Sequence, residues 1–327
     1  MKALVFALGI GVAMGQGPNV STVFQFHHIE GAQALKEVAT MVRTVAEVPQ
    51  VSVDDVAKTV SLTGSEGSLQ IAGWMLAELD RAPVTASVTP QFSVTNNDVV
   101  RLFYLANQPT VQTFQELATA VRTVVAIRRV FTLNRGRVLV LRGTPDEIAA
   151  AAWMIQQLDQ PAAAQHTDAD HTMVDPNNRG ETQVRILYAP YAETVQQFQE
   201  AATAIRTVAE IRRVFTYANL RAIPVRGTAE QIALAAWLVK ELGKPGDEAA
   251  YSYPDDSRDH ATAVRVFYVK NAPTQQAFQQ VATQIRTQTQ IRRLFTYSGT
   301  NVLAARGTPA QVAAAEQMLK DRELAAK

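Results

Sequence analysis

Between Val99 and Leu105 the chain reads Val-Val-Arg-Leu-Phe-Tyr-Leu, a run of β-branched and aromatic residues that predicts a strand. Asn107-Gln108-Pro109 breaks it. From Thr110 the period changes: Val111, Phe114, Leu117, Ala118, Val121, Val124 and Val125 recur at three and four, which predicts a helix with one buried face. Arg128 to Leu133 reads as a second strand, Asn134-Arg135-Gly136 as a turn and Arg137 to Leu141 as a third strand, together a hairpin. After Gly143, Thr144 is suited to cap a second helix, with Pro145 at its first position and Glu147 three residues after the cap. Ile148, Ala151, Ala152, Ile155 and Leu158 give that helix a buried stripe of mostly small residues. The order is strand, helix, strand, strand, helix.

The same pattern recurs. Ala118-Thr119-Ala120-Val121-Arg122-Thr123, then Ile127-Arg128-Arg129-Val130-Phe131-Thr132, then Arg142-Gly143-Thr144 return as Ala202 to Thr207, Ile211 to Thr216 and Arg226-Gly227-Thr228. They return again as Ala282 to Thr287, Ile291 to Thr296 and Arg306-Gly307-Thr308. A worn copy opens the chain with Ala39-Thr40-Met41-Val42-Arg43-Thr44 and Thr63-Gly64, but Pro49-Gln50 stands where the arginine pair would fall. Thr40, Thr119, Thr203 and Thr283 thus mark four tandem copies of a unit about 80 residues long. The expected fold class is α+β: repeated β-α-β-β-α modules, each with two helices on a two- or three-stranded sheet. The boundaries read as 20–82 for module 1, 98–160 for module 2, 182–243 for module 3 and 263–324 for module 4.

The polar stretches Pro83 to Asn97, 161–181 and 244–262 read as flexible or semi-extended linkers. The second carries Asp168, Asp170 and Asp175; the third carries Asp247, Glu248, Asp255, Asp256 and Asp259. Trp74, Trp153 and Trp237 each lie ten residues after their module's glycine, with Gln317 in module 4. Closure of a small core accounts for them better than ligand stacking. Module 1, lacking the arginine pair, reads as a specialised terminal repeat.

Composition narrows the function. The net charge is +1, so nothing in the whole chain favours nucleic acid or an acidic membrane. There is no cysteine, which removes disulfides, thiolate metal sites and thiol nucleophiles. Lys2, an apolar run from Ala3 to Val12 and the small residues Ala13-Met14-Gly15 predict a signal peptide over 1–15, cleaved after about Gly15. The mature chain is then expected in the periplasm or outside the cell, with no transmembrane segment.

The opening strand Val184-Arg185-Ile186-Leu187-Tyr188, the following helix and hairpin, the Arg-Gly-Thr turn and the helix endings Leu79-Asp80 and Leu158-Asp159-Gln160-Pro161 resemble a known module. It is the ring-building module of the secretin N-terminal region, itself similar in shape to K-homology domains. Asn301 matches the asparagine often seen before the third strand; Lys58, Arg137 and Arg221 replace it elsewhere. The resemblance implies side-by-side packing of subunits in an envelope machinery of the secretion or pilus type. The chain leaves no room for the channel-forming domain of that family, so what is implied is assembly or docking rather than transport.

The candidate binding residues are the repeated arginines: Arg122, Arg128 and Arg129, then Arg206, Arg212 and Arg213, then Arg286, Arg292 and Arg293. On the first helix of each module Gln115, Thr119 and Arg122, like Gln199, Thr203 and Arg206 or Gln279, Thr283 and Arg286, share one polar face. Planar guanidinium groups repeated on a rigid face suit carboxylates or phosphates. Three roles compete: pairing with the acidic linkers, an interface with a copy or partner, and polyanion binding. The last is weakened by the missing Gly-x-x-Gly loop that K-homology domains use to clamp nucleic acid. No catalytic constellation, cofactor motif or metal site is expected. The histidines are His27 and His28 at a strand end, and His166, His171 and His260 in linkers, where mobility would defeat a preorganised site. The pattern points to a non-enzymatic exported scaffold or docking component whose partners are its own copies or another envelope protein. The alternative is a module that binds an anionic polymer or nucleic acid through the arginine faces.

Overall fold

The computed structural model describes residues 20–29, 31–81, 90–94, 97–244, 246, 248–254, 259–270 and 272–325; the leader segment 1–15 lies outside them. The chain divides into two compact units, Met1–Pro161 and Ala162–Lys327, each holding two modules.

In unit 1, module 1 runs β1 (Val20–Gln25), α1 (Ala32–Met41), a π turn over Val42–Ala46, β2 (Gln50–Asp54), β3 (Thr59–Gly64) and α2 (Glu66–Leu79). Module 2 runs β4 (Gln91–Ser93), β5 (Val99–Tyr104), α3 (Val111–Val125), β6 (Arg129–Leu133), β7 (Val138–Gly143) and α4 (Pro145–Leu158). In unit 2, module 3 is β8 (Ala169–Thr172), β9 (Gln183–Tyr188), α5 (Val195–Val208), β10 (Arg213–Val214), β11 (Ala222–Gly227) and α6 (Ala229–Leu242). Module 4 is β12 (Ala249–Ser252), β13 (Ala263–Tyr268), α7 (Gln275–Thr289), β14 (Arg293–Tyr297), β15 (Val302–Gly307) and α8 (Pro309–Ala325). The fold is α+β, with helices on small antiparallel sheets, as the periodicity predicts.

The third strand of each module is central, giving the order β1-β3-β2 in module 1. The other sheets have four strands, β4-β5-β7-β6, β8-β9-β11-β10 and β12-β13-β15-β14. The fourth strand in each comes from the stretch read as a linker. Its sequence is polar because an edge strand is held by backbone hydrogen bonds and needs few apolar side chains. Asp170 pairs with Arg185 across the ladder, and Asp168 Oδ1 accepts the Tyr188 amide at 3.1 Å. The short β10 has its own cause: Pro224 in β11 stands where Val140 and Ala304 stand in the sister strands and has no N–H to give.

The helix starts follow the expected chemistry. Thr110, Thr144, Thr194 and Thr228 each form a reciprocal capping box with the residue three positions on. The glycine of the Arg-Gly-Thr turn makes room for this. A Cβ at Gly143 would lie 2.6 Å from Glu147 Oε2, and one at Gly227 2.9 Å from Gln231 Oε1. Lys58, Arg137, Arg221 and Asn301 all sit in the left-handed region at φ 51°, which explains why asparagine suits the site.

Within each unit the two modules pack in one way. The outer sheet face of the second module lies on the helices of the first. Val100, Leu102, Leu133, Val138 and Val140 join the core of module 1. Val264, Val266, Tyr297, Val302 and Ala304 join the core of module 3. The corresponding sheet face of module 1 is mostly polar: Ser21, Gln25, Ser52 and Ser61 are exposed, with Val23 the exposed apolar residue among them, and Ser21 bonds Thr63 across it. Conversely, on the α7 face of module 4, Gln284 and Gln288 are exposed where α5 buries Ala204 and Val208. Each end of the series thus replaces its packing face with polar residues.

Candidate functional site: the arginine clusters

Each of the first helices ends in a left-handed residue, Glu47, Ala126, Glu210 or Gln290, at φ between 56° and 69°. Two of these four equivalent positions carry a carboxylate, and those two lie in the modules that receive a neighbour's sheet within their own unit.

In unit 1, Glu47 reaches both arginines of module 2. Its Oε1 accepts from Arg129 Nε at 2.7 Å and its Oε2 from Arg142 Nη1 at 3.4 Å. Asp98 completes the cluster, 3.0 Å from Arg142 Nε and 3.5 Å from Arg129 Nη1, and Arg142 Nη1 also donates to Val45 O at 3.0 Å. The bond to Glu47 raises the Arg129 pKa above its ordinary value against the opposing effect of burial.

Unit 2 repeats the cluster. Glu210 Oε1 is 2.9 Å from Arg293 Nε, without hydrogen-bond alignment, and Glu210 Oε2 is 3.5 Å from Arg306 Nη1. Asp259 takes the place of Asp98, 2.7 Å from Arg293 Nη1. Arg306, 2% exposed, donates to Ala261 O at 2.9 Å and lies 3.5 Å over the Tyr253 ring. Module 3 ties its own pair to residues of the preceding polar stretch. Arg213 Nε bonds Glu181 at 3.1 Å, and the fully buried Arg226 bonds Glu181 O at 2.7 Å and Asp175 at 3.4 Å. Burial would raise the Asp175 pKa, but three backbone amides and Arg226 hold it below the ordinary value.

The nine sequence-predicted arginines therefore fall into three sets. Arg129, Arg213 and Arg293 are the paired ones just described. Arg122, Arg206 and Arg286 turn inward from the first helix to the second strand, donating to Val130 O, Val214 O and Leu294 O at 3.3, 2.9 and 2.8 Å. The glutamine of the same helical face does likewise: Gln115, Gln199 and Gln279 donate to Thr132, Thr216 and Thr296. Arg128, Arg212 and Arg292 are exposed, and no hydrogen bond or ion pair ties them to another described residue.

Sequence reasoning missed Arg142, Arg226 and Arg306 of the Arg-Gly-Thr turn as members of the clusters, although their recurrence was the available signal. It also missed Asp80 and Asp159. Asp80 accepts the His27, His28 and Ile29 amides and the His27 ring, and Asp159 those of Ala106 and Asn107. His28 and His27 are thereby fixed in a turn. Trp74 stacks on Phe92 at 5.5 Å and Trp237 tilts on Tyr251 at 5.3 Å, so these indoles clasp the added edge strand of the next module. His166 stacks on Tyr188 at 5.2 Å. Among the described residues no three His, Asp or Glu converge as a metal site, and no helix is long and apolar enough to cross a membrane.

No family profile matches the chain, and no curated protein matches it significantly. Solved structures with which it aligns include the N-terminal domain of the secretin XcpQ from Pseudomonas aeruginosa, at 15% identity over 47% of this chain and 70% of that one, with a TM-score of 0.19. ExeD from Aeromonas hydrophila aligns at 15% identity over 69% of this chain and 41% of its own, with a TM-score of 0.17. The type II secretion system secretin GspD of E. coli K12 aligns at 11% identity over 70% and 40%, with a TM-score of 0.16. At these scores the alignments record a partial likeness to secretin N-terminal domains and assign no function.

Proposed function

We propose that this chain is a non-enzymatic assembly or docking component of a bacterial envelope, exported to the periplasm, whose modules exist to pack against other modules. The observation that carries the reading is the use made of two repeated arginines within the chain, Arg129 with Arg142 and Arg293 with Arg306. In modules 2 and 4 they grip the carboxylate at the helix end of the preceding module, and an apolar sheet face packs beside them. Surfaces built this way are suited to copies of the chain or to another envelope protein with similar modules. Repetition favours the same conclusion, because four similar modules multiply a contact surface.

Light scattering on the mature chain tests this across protein concentration and salt. A mass that rises to a defined multiple of the single chain is the expected result. A single-chain mass throughout would remove self-assembly and leave docking to another protein.

One observation favours the second reading, polyanion binding: Arg128, Arg212 and Arg292 recur at one position and stay exposed. Three guanidinium groups without an accompanying loop or aromatic platform make a weak site for a polymer. Replacing all three by alanine separates the readings, since it removes polyanion binding while leaving the packed interfaces intact.

A further inference from the structure

Three of the four sheets carry a strand that the first does not. β4, β8 and β12 pair antiparallel with the outer edges of β5, β9 and β13, whereas among the described residues β1 pairs with β3 alone. The groups left on its open edge follow from the sister strands. Val23 stands where Leu102 stands, and Gln25 where Tyr188 stands. The Leu102 amide donates outward to Pro90 O and the Tyr188 amide to Asp168 Oδ1, both at 3.1 Å. The backbone amides and carbonyls of Ser21, Val23 and Gln25 therefore point away from β3.

Proteins protect such edges with charge, proline or brevity. β2 carries Asp54, β6 Arg129, β8 Asp170, β10 Arg213 and β14 Arg293, while β4 and β12 are three and four residues long. β1 is six residues long, Val-Ser-Thr-Val-Phe-Gln, with neither charge nor proline. Val23 in its middle is 62% exposed, and Phe24 is half-buried where Phe103, Leu187 and Phe267 are buried. Counted back from Val20 as Ser93 is from Val99, or Thr172 from Gln183, a covering strand would end within 9–14, inside the segment read as a leader.

We infer that β1 pairs with β1 of a second copy of this chain, antiparallel about a two-fold axis, so that the sheets of two first modules become continuous. The inference rests on the export and self-assembly reading above and names the surface it uses. One register engages every outward group: Val23 faces Val23 of the second copy and Ser21 faces Gln25. It packs the two exposed valines together and sets Thr22 opposite Phe24. The edge is thus its own complement. It is not built for an acidic strand, because Thr22 replaces the arginine that in modules 3 and 4 meets the acids of the covering strand and its flank, Arg185 with Asp170 and Arg265 with Glu248.

Light scattering on the full chain starting at Gln16 tests this between about 5 µM and about 1 mM. An edge this short makes a small interface, so the mass should move from one chain toward two with a midpoint near ~100 µM. Val23→Lys, a change at an exposed position, sets like charges together on the axis and should raise that midpoint about tenfold or more while the melting temperature stays that of the parent. Cysteines, of which the chain has none, read the register. Val23→Cys should give a linked dimer on mild oxidation, and a mixture of Ser21→Cys and Gln25→Cys chains should link faster than either alone. A single-chain mass up to about 1 mM overturns the inference and leaves docking to another protein standing. A mass that rises in Val23→Lys as it does in the parent, or linkage without this register, overturns the β1 surface while self-assembly stands.

Discussion

Glu210→Gln isolates the fastener between modules 3 and 4, because it removes a charge and keeps the shape. The glutamate carboxylate faces Arg293 at 2.9 Å and Arg306 at 3.5 Å, and those side chains are 17% and 2% exposed. A wholly buried pair broken on one side would cost about 3–5 kcal/mol. Here the carboxylate is 47% exposed, so water screens it. Arg306 keeps Ala261 O and the Tyr253 ring, and Arg293 keeps Asp259. The expected loss is therefore about 1 kcal/mol, between the values for exposed and buried pairs. For a unit of this size that lowers the melting temperature by roughly 2–4 °C. Thermal melts of the full chain, with hydrogen exchange read over 293–307, measure it. The exposed Glu193, whose carboxylate pairs with no described cation, serves as control: Glu193→Gln should stay within about 0.5 kcal/mol of the parent. The difference should shrink at about 1 M salt, where the screening length falls to ~3 Å. A Glu210→Gln chain that melts and exchanges like Glu193→Gln would refute the fastener.

Other consequences follow from the same packing. Trp237→Ala, which removes the half-buried clasp on Tyr251, should cost about 1–3 kcal/mol in denaturant midpoints and speed exchange in β12. Burial pushes the Asp80 carboxyl up, but the His28, His27 and Ile29 amides and the His27 ring hold it below its ordinary value. Its stabilisation is thus present at neutral pH and lost as pH falls below the usual carboxylate range toward its depressed value, so Asp80→Asn should flatten the urea midpoint between pH 7 and about 3. Burial, with the nearby Glu200 and Glu193 charges, pushes the Tyr297 phenol up to about 12. Ultraviolet titration should find it neutral beyond the ordinary tyrosine range, and stability contributed by its neutral form should decline as pH climbs from about 10 toward that value.

Much of the fold was legible because the repeat states it several times. The Val111 to Val125 periodicity, the Thr144-Pro145-Glu147 start and the Asn134-Arg135-Gly136 turn act locally, and each lies where its chemistry predicts. Module 1 was legible as a specialised terminal repeat from its missing arginine pair, whereas the mostly polar sheet face of Ser21, Gln25 and Ser61 became visible only in the fold. The arginine clusters were not. Glu47 stands just past a helix, a position that says nothing of pairing, and its partner Arg129 lies a whole repeat further on. The edge strands escaped for another reason: Asp170 and His171 look like linker because the strand is polar and is held to β9 by backbone pairing.

If the arginines serve to fasten modules, little basic surface remains for a polymer. The most direct measurement is a binding isotherm of the chain with single-stranded DNA and with heparin at low and physiological salt. No saturable binding at physiological salt is predicted, and Arg128→Ala, Arg212→Ala and Arg292→Ala together should change neither fold nor mass in solution. Tight binding that falls steeply with salt and disappears in the triple variant would contradict the docking account and make the exposed arginines a polyanion site.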